Sequence, residues 1–174
     1  MAARCSRLPG SFASIPSHMT EHRGGVAVSD VVEQLDDALA ATGAVVAGIR
    51  EGQWGDPTPC VEWDVRTEVS HLVGGLRIFT AAIEQRDAGG DHDTHDWLGD
   101  SPADSYAEAA AADIAAWRRP DALDRTFALS FGDIPGQMAV VIHLTEVIVH
   151  GIDLAVATGQ VDRVDQELPS TCSA

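Results

Sequence analysis

The chain has 174 residues, enough for one domain with a sizeable hydrophobic core. Its 27 acidic residues face 11 cationic ones, all arginine, and the net charge of -16 repels phosphate backbones and anionic headgroups. That excludes nucleic acid and membrane surfaces as natural partners, and Cys5, Cys60 and Cys172 are too widely spaced for a disulfide framework or a CxxC knuckle, so they read as reduced thiols of a cytoplasmic protein.

Residues 1–27 mix Arg, Ser, Pro, Gly and His without periodicity and read as a disordered N-terminal extension, with Met19 an alternative start. From Ser29 or Asp30, as N-cap, Val31, Leu35, Leu39, Val46 and Ile49 recur at helical spacing and predict a first helix over roughly 30–50. Thr42 falls on that stripe, its hydroxyl expected to bond back to the preceding turn. A loop with Pro57 and Pro59 follows. Asp64 then caps a second helix with Val65, Val69, Leu72, Leu76, Phe79 and Ile83 on its buried face, His71 two turns in, and Gly89-Gly90 as its end. The stretch from Asp91 to Asp100 lacks the glycine and terminal glutamate of a calcium loop and reads as a solvated acidic loop. Cys60 reads as a buried, inert thiol.

Ser101-Pro102 with Asp104 starts an alanine-rich third helix that runs to about Arg118 and stops at Pro120. Arg125 to Phe131 is β-prone. A fourth helix begins near Pro135-Gly136 and ends at Thr158, with Gly159 as C-cap. Residues 161–174 read as an irregular tail, with truncation near the end one expectation. The expected fold is all-α: an antiparallel four-helix bundle over residues 28–160 with a short β-prone excursion before helix four.

Helix four carries the chemistry. It is apolar nearly all round, long enough to resemble a membrane span, and expected to be the most buried helix. His143, Glu146, His150 and Asp153 interrupt it within a sector of about 80° on one face, which argues for burial inside a protein instead of lipid. Burying these groups is costly unless they are paired or coordinated. Glu146 and His150, at i and i+4, can converge on one cation, and His71 is the candidate third ligand. Two nitrogens and a carboxylate suit zinc and leave a position open, although nickel, iron(II) or cobalt would also fit. The competing reading is an ordinary hydrogen-bonded pair and a satisfied core histidine. His143 reads as pocket lining. Asp153 reads either as the acceptor that orients His150 or as a solvated group.

The ordered set Trp54, Pro57-Thr58-Pro59-Cys60, Glu62-Trp63-Asp64-Val65-Arg66, His71-Leu72-Val73-Gly74-Gly75, Gly132-Asp133-Ile134-Pro135-Gly136, and Glu146 to His150 with Gly151-Ile152-Asp153-Leu154-Ala155 resembles the metal-binding domain of mycothiol-dependent maleylpyruvate isomerases, in the DinB-like superfamily. The resemblance spans about Ser29 to Gln160, and the absence of lysine with abundant Ala, Asp and Gly suggests a GC-rich, actinobacterial coding sequence. The resemblance implies a DinB-like four-helix bundle, one metal, usually zinc, on His71, Glu146 and His150, and a small thiol such as mycothiol as cosubstrate. The implied activity is isomerisation of an electrophilic small molecule or thiol transfer to it, by a protein that pairs as a homodimer. Maleylpyruvate isomerases carry a further C-terminal domain not found here, so the alternative is a non-catalytic, metal-stabilised binding or sensing module.

Overall fold

The computed structural model describes residues 28–92, 94–129 and 132–164. The predicted N-terminal extension and residues 165–174 of the predicted tail lie outside them. Four helices form the body: α1 (Val28–Ala47), α2 (Val65–Glu84), α3 (Pro102–Trp117) and α4 (Gly136–Thr158). Before α4 the β-prone stretch is a hairpin, β1 (Thr126–Leu129) antiparallel to β2 (Gly132–Pro135), with Phe127 opposite Ile134. The predicted excursion is therefore two strands reaching up to Pro135. The predicted irregular tail opens instead with a 3-10 turn, Val161–Arg163.

Helices α1 and α2 are amphipathic at the predicted period. Val32, Leu35, Leu39, Val45 and Val46 of α1 and Val65, Val69, Leu72, Leu76 and Ile83 of α2 are buried in one core. Asp64 caps α2 as expected, accepting from the Thr67 amide at 2.8 Å. Two boundaries differ from expectation. The first helix begins at Val28, which puts Asp30 in its first turn, where an acid favours the helix dipole. The second stops at Gln85, which takes the left-handed conformation (φ 57) and donates its amide to Ala81 and Ala82 carbonyls, short of Gly89-Gly90. Gly159 ends α4 in the same conformation (φ 70), as predicted.

The helices do not pack in chain order. Contacts run α1 to α4, α4 to α2, α2 to α3 and α3 to α1, so α1 faces α2, and α3 faces α4, across the bundle's diagonals. The connections over residues 48–64 and 118–135 are long enough to span such a diagonal. Polar ties stitch the ring: Tyr106 Oη donates to the Leu39 carbonyl at 3.1 Å, and Gln53 Nε2 to the Thr158 carbonyl at 3.1 Å. Thr42 does not bond back within α1; its Oγ1 reaches the Val147 carbonyl of α4 at 3.4 Å.

That crossing explains Gly151. A methyl group there would overlap the Thr42 hydroxyl, so α1 and α4 meet at this spacing only because Gly151 has no side chain. Gly151→Ala is expected to cost about 1–3 kcal/mol through overpacking, and Thr42→Ala in the same chain to recover part of it. Urea denaturation of wild type and the two variants measures both effects.

Helix α4 is less buried than its composition suggests. Met138, Val141, Ile148, Val149, Ile152 and Val156 are exposed along its outer side, while Ala139, Val140, Val147 and Leu154 enter the core. By length and hydropathy it could cross a membrane, but half of its most apolar window is buried against the other helices.

Candidate metal centre

The site begins in the loop before α2. Thr58 takes the Trp63 carbonyl on its amide at 3.1 Å, Pro57 pairs with Asp64 in a bridge, and the Arg66 amide reaches the Trp54 carbonyl at 2.9 Å. Glu62 turns this segment with a positive φ of 75°, a strained choice for a residue other than glycine. The stretch from Trp54 to Asp64 is thus a tied turn whose product is the placement of Trp63. Its ring lies 4.6 Å from that of His71 and stacks 5.7 Å from that of His150.

The structure brings the three predicted donors together. His150 Nε2 is 3.3 Å from Glu146 Oε2, and His71 Nε2 is 3.8 Å from the same oxygen. Donors bound tetrahedrally to one zinc are about 3.4 Å apart, given bonds near 2.1 Å. The trio therefore fits a divalent ion with little rearrangement, and N,N,O is a donor set zinc accepts. The Glu146 side chain is 51 % exposed, so the trio opens to solvent on that side. For His150, burial pulls the pKa down, but the hydrogen bond and charge of Glu68, then Glu146, outweigh it and raise the ring above its ordinary value.

Glu68, one turn before His71, was not anticipated as part of this site. It is fully buried, and its Oε1 lies 2.8 Å from His150 Nδ1. The acceptor on that nitrogen is Glu68 and not Asp153, considered for the role from sequence. Asp153 sits on the same side, in a second group of close donors with Cys60, Glu68 and His150. Its carboxyl is raised by burial and by the neighbouring Glu68 charge. Cys60 is partly rather than fully buried; burial, then Glu68, Asp153 and Glu146, push its thiol up and keep it protonated.

Beside the trio, between α2 and α4, lies a cavity of about 360 Å³. Its walls are largely apolar, from Leu72, Ile78, Phe79, Ile142 and Val147, with Ala128 of the hairpin closing one side. His143 lines it. Its Nε2 lies 2.8 Å from Asp113 Oδ2 on α3, and both side chains are buried. Burial raises the Asp113 carboxyl, against the lowering effect of His143. This pair spans the α3–α4 diagonal.

His92 also reaches the site, a correction to the purely solvated loop expected at 91–100. Its ring stacks on His71 at 4.2 Å and its Nε2 bonds the His71 carbonyl at 3.1 Å. Trp97 and Leu98 of that loop are buried, while Asp91 and Asp96 stay exposed. Gly74 makes the approach possible: a Cβ there would come within 2.6 Å of Trp97 Nε1 and 2.9 Å of His92.

Residues 35–155 match the mycothiol maleylpyruvate isomerase N-terminal domain family. Two uncharacterized proteins of Mycobacterium tuberculosis, from strains CDC 1551 and H37Rv, are each 35% identical over 139 residues, covering 78% of this chain and 70% of theirs. Among solved structures, the mycothiol-dependent maleylpyruvate isomerase and a histidine-to-alanine mutant of it superpose with a TM-score of 0.61 at 13% and 12% identity, over 74% of this chain. The matched part is 60% of the length of those isomerase chains.

Proposed function

The chain belongs to the mycothiol maleylpyruvate isomerase N-terminal domain family, and from that premise we propose that it holds a divalent transition metal, zinc first, on His71, Glu146 and His150 and uses it with a small thiol such as mycothiol in an isomerase- or transferase-type reaction. The observation that carries the reading is the convergence of three donors from α2 and α4 beside an apolar cavity. An ion bound there supplies positive charge that favours a thiolate over a thiol at neutral pH.

The chain's own groups divide the remaining work. Leu72, Phe79, Ile142 and Val147 exclude water from one side of the donors and suit the carbon skeleton of a small electrophile. Trp63 and His92 restrict the rings of His71 and His150 on the other. The same reading puts the protein in the cytoplasm, where a small thiol is kept reduced.

The test is a cobalt-substituted protein titrated with mycothiol and then with maleylpyruvate as a first electrophile. A shift of the cobalt visible bands on adding thiol is expected, followed by consumption or isomerisation of the electrophile. Unchanged bands at thiol saturation would leave a metal-stabilised binding module as the better description.

A further inference from the structure

We propose that Glu68 is a positioning residue: it fixes the tautomer and ring orientation of His150 so that the Nε2 lone pair faces Glu146 and His71. The inference deepens the metal reading and rests on it only for its consequence on metal affinity.

A neutral imidazole has one N–H to place. Given to Nδ1, the proton makes a 2.8 Å hydrogen bond to Glu68 Oε1 and leaves Nε2 bare. Given to Nε2, it satisfies Glu146 and leaves Glu68 facing a second acceptor. The two carboxylates are not equivalent. Glu146 is half exposed and water satisfies it whenever the ring does not. Glu68 has no exposure, and its Oε2 has no hydrogen-bond partner, so the bond to His150 is its one satisfied contact among the described residues. Leaving a buried carboxylate wholly unpaired costs far more than leaving an exposed one to water. The buried partner therefore decides the tautomer.

The first turn of α2 favours an acid through the helix dipole, but an exposed position would serve that as well as a buried one. Asp64 already caps the helix through Thr67, and Val65, Val69 and Leu72 around Glu68 are buried and apolar. A carboxylate sunk into that stripe destabilises the core unless its contact is used. A carboxylate holding the far nitrogen of a metal-binding histidine is a use that raises ligand basicity and prevents ring rotation.

The experiment is long-range proton–nitrogen NMR on histidine-labelled apo-protein at alkaline pH, where the rings are neutral, with His150→Gln to assign the signal. Zinc titrations of wild type, Glu68→Gln and Glu68→Leu run beside it. Leucine fills the space without an acceptor, and glutamine keeps an acceptor without the charge, so the pair separates loss of the acceptor from loss of the charge, with circular dichroism confirming the helical fold of each. The expected result is an Nδ1–H tautomer in wild type, largely kept in Glu68→Gln and lost in Glu68→Leu, with zinc affinity falling about ten- to a hundredfold in the leucine variant and less in the glutamine one. An Nε2–H tautomer in wild type, or unchanged tautomer and affinity in Glu68→Leu, overturns the proposal. So does a cobalt form with an intense thiolate band that disappears in Cys60→Ser, because the ion would then sit on the Nδ1 side. If wild type takes up no zinc yet shows the Nδ1–H tautomer, the metal reading fails and the assignment to Glu68 holds.

Discussion

Substitution of His150 by alanine is expected to take the protein from near-stoichiometric zinc to none retained through gel filtration. His150 is the buried member of the trio and the one whose two nitrogens are both engaged, by Glu68 and Glu146. Plasma mass spectrometry on wild type and His150→Ala, both purified without a metal-binding tag, checks this directly. Absence of zinc from both after supplementation would reduce the trio to a polar cluster. The pH dependence separates the two states further. Because the folded pKa of His150 is raised above 6.5, its imidazolium stabilises the apo-protein fully below that value. That contribution is lost as pH rises through the folded pKa. Zinc needs the neutral ring, so metal retention runs the opposite way and falls as pH drops through the same range. Thermal melts of the apo-protein should show a slope that His150→Gln removes.

The second large effect is expected at His143. Its alanine variant leaves Asp113 buried without its partner and opens a void beside Phe79 and Trp117, whose rings lie 4.3 and 6.1 Å from the imidazole. Together these cost about 3–5 kcal/mol, the range for breaking a buried pair by removing one member. Asp113→Asn keeps a hydrogen-bonding oxygen and should cost far less. In the double variant His143→Ala/Asp113→Ala the costs should fall short of additivity by about 1–3 kcal/mol, since the second truncation removes the group the first left stranded. Equilibrium denaturation of wild type, His143→Ala, Asp113→Ala and the double variant gives the cycle, and strict additivity would mean the pair carries no coupling.

The sequence made the helices legible because every one has an apolar stripe, and it made half of the site legible because His143, Glu146 and His150 break the most apolar stripe of all. Glu68 and Asp113 escaped for a shared reason. An acid in a first helical turn looks like a dipole partner, and one in an alanine-rich helix looks solvated. The spacing held the contrary signal: Val65, Glu68, Val69 and Leu72 share a face, as do Tyr106, Ala109, Asp113 and Trp117, and both acids are buried with those neighbours. The reach of His92 depends on how closely a loop can approach Gly74, a distance in space that spacing along the chain does not encode. The diagonal arrangement of consecutive helices was hidden likewise, because loop length permits it without requiring it.

The space between α2 and α4 has a thermodynamic meaning of its own. Where most helix pairs in a bundle are joined by interlocking side chains, part of this seam is a cavity of about 360 Å³ beside donors contributed by both helices. Whatever binds there binds the folded chain and not the unfolded one, so its free concentration enters the folding equilibrium. At a thousandfold over its dissociation constant such a ligand adds about 4 kcal/mol, comparable to much of a small domain's entire stability. Cohesion of this bundle is then set jointly by its sequence and by the supply of its ligand, and scarcity of the ligand lowers the melting temperature.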